Sequence, residues 1–288
     1  MCDDRTVVDN TEYLRAKTLT RRQFGAVSAG AGLAMLLPRA ANAQAVSETE
    51  LDVTTPDGVA DCYFVHPSSG AHPGVLIWPD AFGLRPALRQ MGRRLAESGY
   101  SVLVGNQYYR SQRAPIVSTT NFAEVRGTLM PLMGSLNADT QTRDAMAFVS
   151  FLDTQPAVDR TRKMGTMGYC MGGPFTVRTA AAVPERIGAA ASFHGGGLVT
   201  DAADSPHLLV PKMKAHYLFA IAENDDENQP EAKDVLRDAF AAAGLPAEIE
   251  VYAGALHGWC PPDSTVYDEA LAERAWSRLL VLFENALA

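Results

Sequence analysis

Gly168-Tyr169-Cys170-Met171-Gly172-Gly173 is the stretch on which the fold reading turns. It follows a short apolar run, Lys163–Met167, and opens a helix-like segment, Phe175–Val183. The order predicts a strand, a sharp turn and a helix, with Cys170 at the turn. A nucleophile on such an elbow stands at the end of a sheet with its reactive atom presented to substrate. The flanking glycines let the backbone turn tightly and let strand and helix pack without a Cβ between them. The competing reading is a buried structural cysteine, since free cysteine is among the most buried residue types. The residues on either side weigh against it.

Upstream of the elbow, Leu51–Thr54 and Cys62–Val65 read as strands around the turn Thr55-Pro56-Asp57-Gly58. Val75–Trp78 and Val102–Val104 are apolar strand runs, and Leu88–Ala96 and Ala138–Leu152 have helical spacing. Downstream, Ile187–Phe193, Tyr217–Ala222 and Glu248–Tyr252 read as strands, Glu231–Ala243 and Tyr267–Leu282 as helices. Alternating strands and helices predict a mostly parallel sheet covered on both faces. Gln107–Asn137 has no clear period. It is expected to be a lid, a specificity loop or an irregular surface excursion.

A thiol nucleophile needs a base, and the base needs an orienting partner. His257 follows the last predicted strand, and Asp225 follows the strand before it. All three residues then stand at carboxyl ends of strands, where open α/β sheets bind ligands. Asp226 competes with Asp225 for the acid position. For the oxyanion, the loop Pro79-Asp80-Ala81-Phe82-Gly83 offers the Ala81 N–H, and the elbow offers the Met171 N–H. Pro79 has no N–H to give. His194-Gly195-Gly196-Gly197 resembles a glycine-rich oxyanion motif, but that motif precedes the nucleophile, whereas this run follows it. It is read as a flexible turn near the site.

The first 43 of the 288 residues read as a leader rather than as fold. Arg21-Arg22 precede an uncharged run, Phe24–Leu37, then Pro38 and the small-residue site Ala41-Asn42-Ala43. That is the layout of a signal peptide, with paired arginines of the twin-arginine type. The apolar run is shorter than the roughly 20 residues a membrane span needs. Cleavage after Ala43 leaves residues 44–288 as one domain, exported to the periplasm. The leader holds six of the 25 basic and four of the 33 acidic side chains, so 19 and 29 remain, a net charge of −10. No basic cluster is left to suggest nucleic acid or an anionic membrane as partner. Cys62, Cys170 and Cys260 remain; a Cys62–Cys260 bridge would leave Cys170 as the odd thiol.

Five segments together resemble the dienelactone hydrolase family of α/β-hydrolases. They are Trp78–Gly83, Arg93–Arg110, Gly168–Gly173, Ala222–Asp225 and Tyr252–Trp259, in family order across nearly all of the chain after the leader. The resemblance implies an α/β-hydrolase fold and a Cys170–Asp225–His257 triad working through a thioester on esters or lactones. Asp80, Phe82, Arg110 and Trp259 are candidate substrate-binding residues. No metal or organic cofactor is implied, and the partner is a small-molecule ester or lactone. Two departures stand out. Asp80 holds the place of a glutamate that meets the resting thiol in the family. Pro261 stands where the family has a carboxylate-binding arginine, with Arg110, Arg113 or Arg126 as candidate replacements. Dienelactone itself is therefore not the expected substrate. The rival classes are an inert binding protein on this fold and a thiol-redox protein; the absence of a C-x-x-C counts against the second.

Overall fold

The computed structural model describes residues 8, 9, 12, 37, 38 and 43–288. The arginine pair and nearly all of the apolar run of the leader lie outside the described residues. From residue 46 the chain builds one eight-stranded sheet. Its strands are β1 (Val46–Thr55), β2 (Gly58–Pro67), β3 (Gly74–Trp78), β4 (Ser101–Gly105), β5 (Met164–Tyr169), β6 (Ile187–Phe193), β7 (His216–Ala222) and β8 (Ala247–Tyr252). They lie in the order β1-β2-β4-β3-β5-β6-β7-β8. The β1–β2 hairpin and the β2–β4 pair are antiparallel; every other pair is parallel.

Among residues 43–288 the α-helices are α1 (Pro86–Glu97), α2 (Phe122–Gly134), α3 (Ala138–Thr154), α4 (Gly172–Ala182), α5 (Glu223–Asn228), α6 (Ala232–Ala243) and α7 (Glu269–Ala286). Local chemistry sets their ends. Pro86 opens α1 at a position where no N–H is needed. Asn137 and Thr140 form a reciprocal capping box on α3. Asp268 caps α7 by accepting the Leu271 N–H, and Gly244 ends α6 in a left-handed conformation.

Alternation along β3 shows how the layers form. Leu76 and Trp78 enter one core with Phe148 of α3, Phe175 of α4 and Phe240 of α6. Val75 and Ile77 enter the other with Leu88 of α1 and Leu279 of α7. A parallel strand buried on both faces reads as a continuous apolar run for this reason.

The segment without a clear period holds α2, a helix that the sequence pattern does not predict. Only Phe122 and Leu129 are buried along α2, and Gly127 and Pro131, both poor helix formers, lie inside it. A helix that buries so little has no amphipathic stripe to detect.

Strand order also positions the site. β3 sends its chain to β4 on one side while β5 and β6 build outward on the other, so the crevice between β3 and β5 is a topological switch point. The register pairs Trp78 with Gly168, Tyr169 with Phe193, and Ala222 with Tyr252. The loops after β3, β5 and β6, and those after β7 and β8, therefore emerge side by side.

Candidate active site

Cys170 sits at the turn between β5 and α4 with φ +53°, a left-handed conformation rare outside glycine. Holding a non-glycine residue there costs on the order of 1 kcal/mol or more. The glycines around it are steric requirements. A Cβ on Gly168 would lie 2.2 Å from the Gly172 carbonyl oxygen, and one on Gly172 would lie 2.5 Å from that of Trp78. The Cys170 N–H donates to Phe193 O at 3.0 Å and to His194 Nδ1 at 3.1 Å.

His257 is buried and hydrogen-bonds the Cys170 side chain. Its Nδ1 lies 2.8 and 2.9 Å from the two carboxylate oxygens of Asp225. Its backbone N–H donates to Asn224 Oδ1 at 2.9 Å, which ties the β8 loop to the β7 loop. Asp226 turns away and pairs with Lys233 at 2.6 and 2.7 Å. Of the two neighbouring acids, Asp225 is the one that meets the histidine. Burial alone would lower the His257 pKa. The Asp225 carboxylate and the Cys170 sulfur outweigh it and push the pKa up to about 10.

The sequence places His194 in a flexible turn, and the structure differs. Its side chain is 1% exposed, its ring centroid is 5.0 Å from that of His257, and its own φ is +41°. Since Nδ1 accepts the Cys170 N–H, the neutral ring carries its proton on Nε2. Burial, then the nearby His257, lowers its pKa to about 3, so it stays neutral.

Ala81 and Met171 are both buried, on the loops after β3 and β5. One hydroxyl spans them: Tyr108 Oη lies 3.0 Å from Ala81 O and 3.1 Å from Met171 Sδ. The Asp80 carbonyl, which shares a peptide with the Ala81 N–H, accepts from Gln107 Nε2 at 2.8 Å and from the Gly83 N–H at 3.0 Å. The sequence pattern gives no role to Tyr108 or Gln107, although both stand just after β4.

Asp80 is buried and gives its two oxygens to Arg85 at 2.7 and 2.9 Å, one of them also to the Phe82 N–H. A carboxylate so held is engaged by a cation rather than free for substrate. Phe82 is half-buried and meets Phe122 of α2 edge to face at 6.4 Å. Thr120 Oγ1 donates to Asp263 O at 2.8 Å. The stretch entering α2 is thus fastened to loops of the site.

Two expected substrate contacts are placed elsewhere. Trp259 is fully buried between Tyr252 and His194, a wall rather than a surface. Arg110 pairs with Asp57 and Asp144 and stacks on Tyr109, bracing the β1–β2 turn against α3. Arg113 is exposed and pairs with Asp52. Cys62 and Cys260 are free thiols in opposite cores, so of the two alternatives the sequence leaves open, bridged or free, the structure has them free. A cavity of about 500 Å³ opens beside Asp225, walled by Gly195–Gly197, Thr200, Lys233 and Leu236 among others. Among the described residues, no cluster of His, Cys, Asp and Glu could hold a metal ion.

A cysteine at the elbow after β5, an acid after β7 and a histidine after β8 come together at one end of a mostly parallel sheet, and the sheet with its covering helices is the α/β-hydrolase fold. Residues 60–287 match the dienelactone hydrolase family, and the chain belongs to it. It is a hydrolase of ester or lactone bonds. Among its relatives is a Methylorubrum extorquens protein named as a candidate carboxymethylenebutenolidase, 28% identical over 275 residues, 91% of each chain. A Salmonella typhi protein with the same name is 29% identical over 226 residues, 77% of this chain and 81% of the relative. A dienelactone hydrolase-like promiscuous phosphotriesterase from metagenomic libraries shares the fold, with TM-score 0.71 and 24% identity over 85% of this chain and all of that one.

Proposed function

We propose that the chain hydrolyses a neutral carboxylic ester or lactone with Cys170 as nucleophile, His257 as general acid and base, and Asp225 as orienter. The observation that carries this reading is the single buried imidazole bonded to Cys170 on one side and Asp225 on the other. Because Nδ1 is taken by Asp225, Nε2 is left for the sulfur. The raised His257 pKa supports a thiolate–imidazolium pair in the resting enzyme.

In the first half-reaction the thiolate forms a C–S bond to the carbonyl carbon, and the carbonyl electron pair moves to oxygen. The Ala81 and Met171 N–H groups receive that oxyanion. Collapse breaks the C–O bond, and the leaving alkoxide takes the proton from His257. Water then attacks the thioester while His257 accepts its proton, the acid forms, and the thiolate returns with an imidazolium beside it. Asp225 keeps the imidazole in the required tautomer throughout.

Neutral substrates are favoured because two of the three arginines considered as anchors are otherwise engaged. Arg110 and Arg113 hold carboxylates of the fold, and Pro261 carries no charge. Steady-state turnover of a neutral aryl ester tests the assignment. Cys170→Ala is expected to lose several orders of magnitude. Retention of more than about a tenth, roughly 1.4 kcal/mol of barrier, would contradict it.

The leader supports a second proposal, export of folded protein by a twin-arginine route with residues 44–288 as the mature domain in the periplasm. Replacing Arg21 and Arg22 by lysine should leave precursor in the cytoplasm. Normal export of that double variant would refute the route.

A further inference from the structure

Arg85 is buried at 6% exposure and carries four hydrogen bonds to two carboxylates. One fork meets Asp80 at 2.7 and 2.9 Å, the other meets Asp263 at 2.7 and 2.9 Å. A guanidinium satisfied on both edges by carboxylates is a rigid connector rather than a mobile charge. Its two partners sit on different loops. Asp80 belongs to the loop after β3, and Asp263 to the loop that follows His257.

The geometry at Asp80 shows what the connector controls. Asp80 Oδ1 accepts the Phe82 N–H at 3.0 Å, and Asp80 O accepts the Gly83 N–H at 3.0 Å. These bonds fold residues 80–83 into a turn. Gln107 Nε2 holds the same carbonyl at 2.8 Å. A planar trans peptide ties the direction of the Ala81 N–H to that of the Asp80 carbonyl. With the carbonyl held by Gln107 and the side chain by Arg85, the Ala81 N–H has one direction. Without Arg85, a buried carboxylate would lie unpaired and would protonate or swing out. The Phe82 bond would go with it.

We propose that Arg85 is a positioning residue: by clamping Asp80 it sets the Ala81 N–H for the oxyanion, and through Asp263 it fixes that donor relative to the His257 loop. This rests on the assignment of Ala81 as an oxyanion donor and Cys170 as nucleophile. The sequence carries a faint signal, an arginine directly before the proline that opens α1, in Gly83-Leu84-Arg85-Pro86.

The test compares Arg85→Met and Arg85→Lys in the full chain. Four measurements are needed: kcat and KM on a neutral aryl ester; affinity for a peptide-free aliphatic aldehyde that forms a hemithioacetal; affinity for the corresponding alcohol; and the rate of Cys170 alkylation by iodoacetamide. Loss of an oxyanion donor costs about 10²–10³ in kcat, so a misdirected donor should cost about tenfold to a hundredfold. KM and alcohol affinity should stay within about threefold, since ground-state binding does not use the donor. Aldehyde affinity should fall by the same factor as kcat, while Cys170 alkylation, governed chiefly by its pairing with His257, should fall by less, the residual effect coming from the Asp80 charge nearby. Arg85→Lys keeps a cation beside Asp80 but loses both forks, so it serves as the folded variant if Arg85→Met does not fold.

Wild-type kcat and aldehyde affinity in folded Arg85→Lys would overturn the proposal. So would a parallel loss of kcat, alcohol affinity and thiol reactivity, which would mark a general collapse. The underlying site assignment has its own control: if wild type forms no hemithioacetal, or Cys170→Ala binds the aldehyde as tightly, that assignment fails whatever Arg85 does.

Discussion

The backbone N–H of Cys170 donates to Nδ1 of His194 across 3.1 Å, linking two adjacent left-handed residues at the ends of β5 and β6. The elbow is therefore braced from the neighbouring strand by a side chain, in addition to the Phe193 carbonyl. Asparagine tolerates a left-handed backbone and has an oxygen that can take the place of Nδ1; valine has neither property. His194→Val should be less stable than His194→Asn by about 2–3 kcal/mol, from strain plus a lost hydrogen bond. Equal unfolding midpoints in urea would show that the bond and the backbone conformation do not matter.

The two buried histidines make opposite demands on pH. An unfolded histidine titrates near 6.5. His194 is held at about 3, so its contribution is present above about pH 6.5 and is lost as pH falls toward 3. His257 is held at about 10, so its contribution is present below about pH 6.5 and is lost as pH rises through 10. Unfolding free energy measured from pH 4 to 10 should show a maximum near neutrality. His194→Asn should flatten the acid limb and His257→Gln the alkaline limb. The reverse assignment of limbs would contradict a neutral His194 beside a protonated His257.

Asp225 and Asp226 are neighbours in sequence and differ in their side-chain partners. Asp225→Asn should lower kcat/KM by up to about 10⁴, because the imidazole loses the partner that fixes its tautomer. Asp226→Asn removes half of a partly exposed pair with Lys233 and should cost less than about threefold. Steady-state kinetics on one ester decides between them, and the opposite ranking would move the acid to Asp226.

Two glycines give a contrast in stability. Gly168→Ala drives a Cβ against the Gly172 backbone and should prevent folding or cost several kcal/mol. Gly127→Ala, in α2 with nothing within 4 Å of the new Cβ, should stabilise by about 0.5–1 kcal/mol. Thermal melts of both variants check this. A folded Gly168→Ala with wild-type stability would mean that β5 and α4 stand further apart at the elbow.

Substrate charge follows from the engaged arginines. A neutral ester should exceed an anionic lactone of similar size by about tenfold or more in kcat/KM, the effect of lacking one charge-assisted contact. Equal or faster turnover of the anionic lactone would contradict this. Single alanine substitutions at Arg110, Arg113 and Arg126 would then locate the anchor.

The elements legible in the sequence are those whose pattern is set by burial on two faces. Ile187–Phe193 reads as an apolar run because both sides of β6 are covered, and its bounds match. Cys170 and Asp225 are legible because each stands just after such a run, whereas His257 follows the half-buried edge strand β8, in which Glu248 and Glu250 alternate with Ile249 and Val251. The illegible parts depend on contacts between loops. His194 looks like one end of a glycine turn, since nothing local says that its ring lies against His257 and bonds the elbow. Arg85 looks like a residue before a helix, since its partners are five and 178 positions away. Arg110 draws attention by charge and position, but the acids that occupy it, Asp57 and Asp144, come from a hairpin turn and a distant helix. Trp259 sits in a recognisable motif, yet it serves the core.

The central claim is covalent chemistry at Cys170. Rapid acid quench of the enzyme with a slowly deacylating neutral aryl ester, followed by mass spectrometry of the intact protein and its peptides, tests it most directly. The expected result is one acyl group on wild type, mapped to the peptide holding Cys170, formed as fast as the aryl alcohol burst and absent in Cys170→Ala. Full turnover with no adduct on Cys170, or an adduct that persists in Cys170→Ala, would contradict the account.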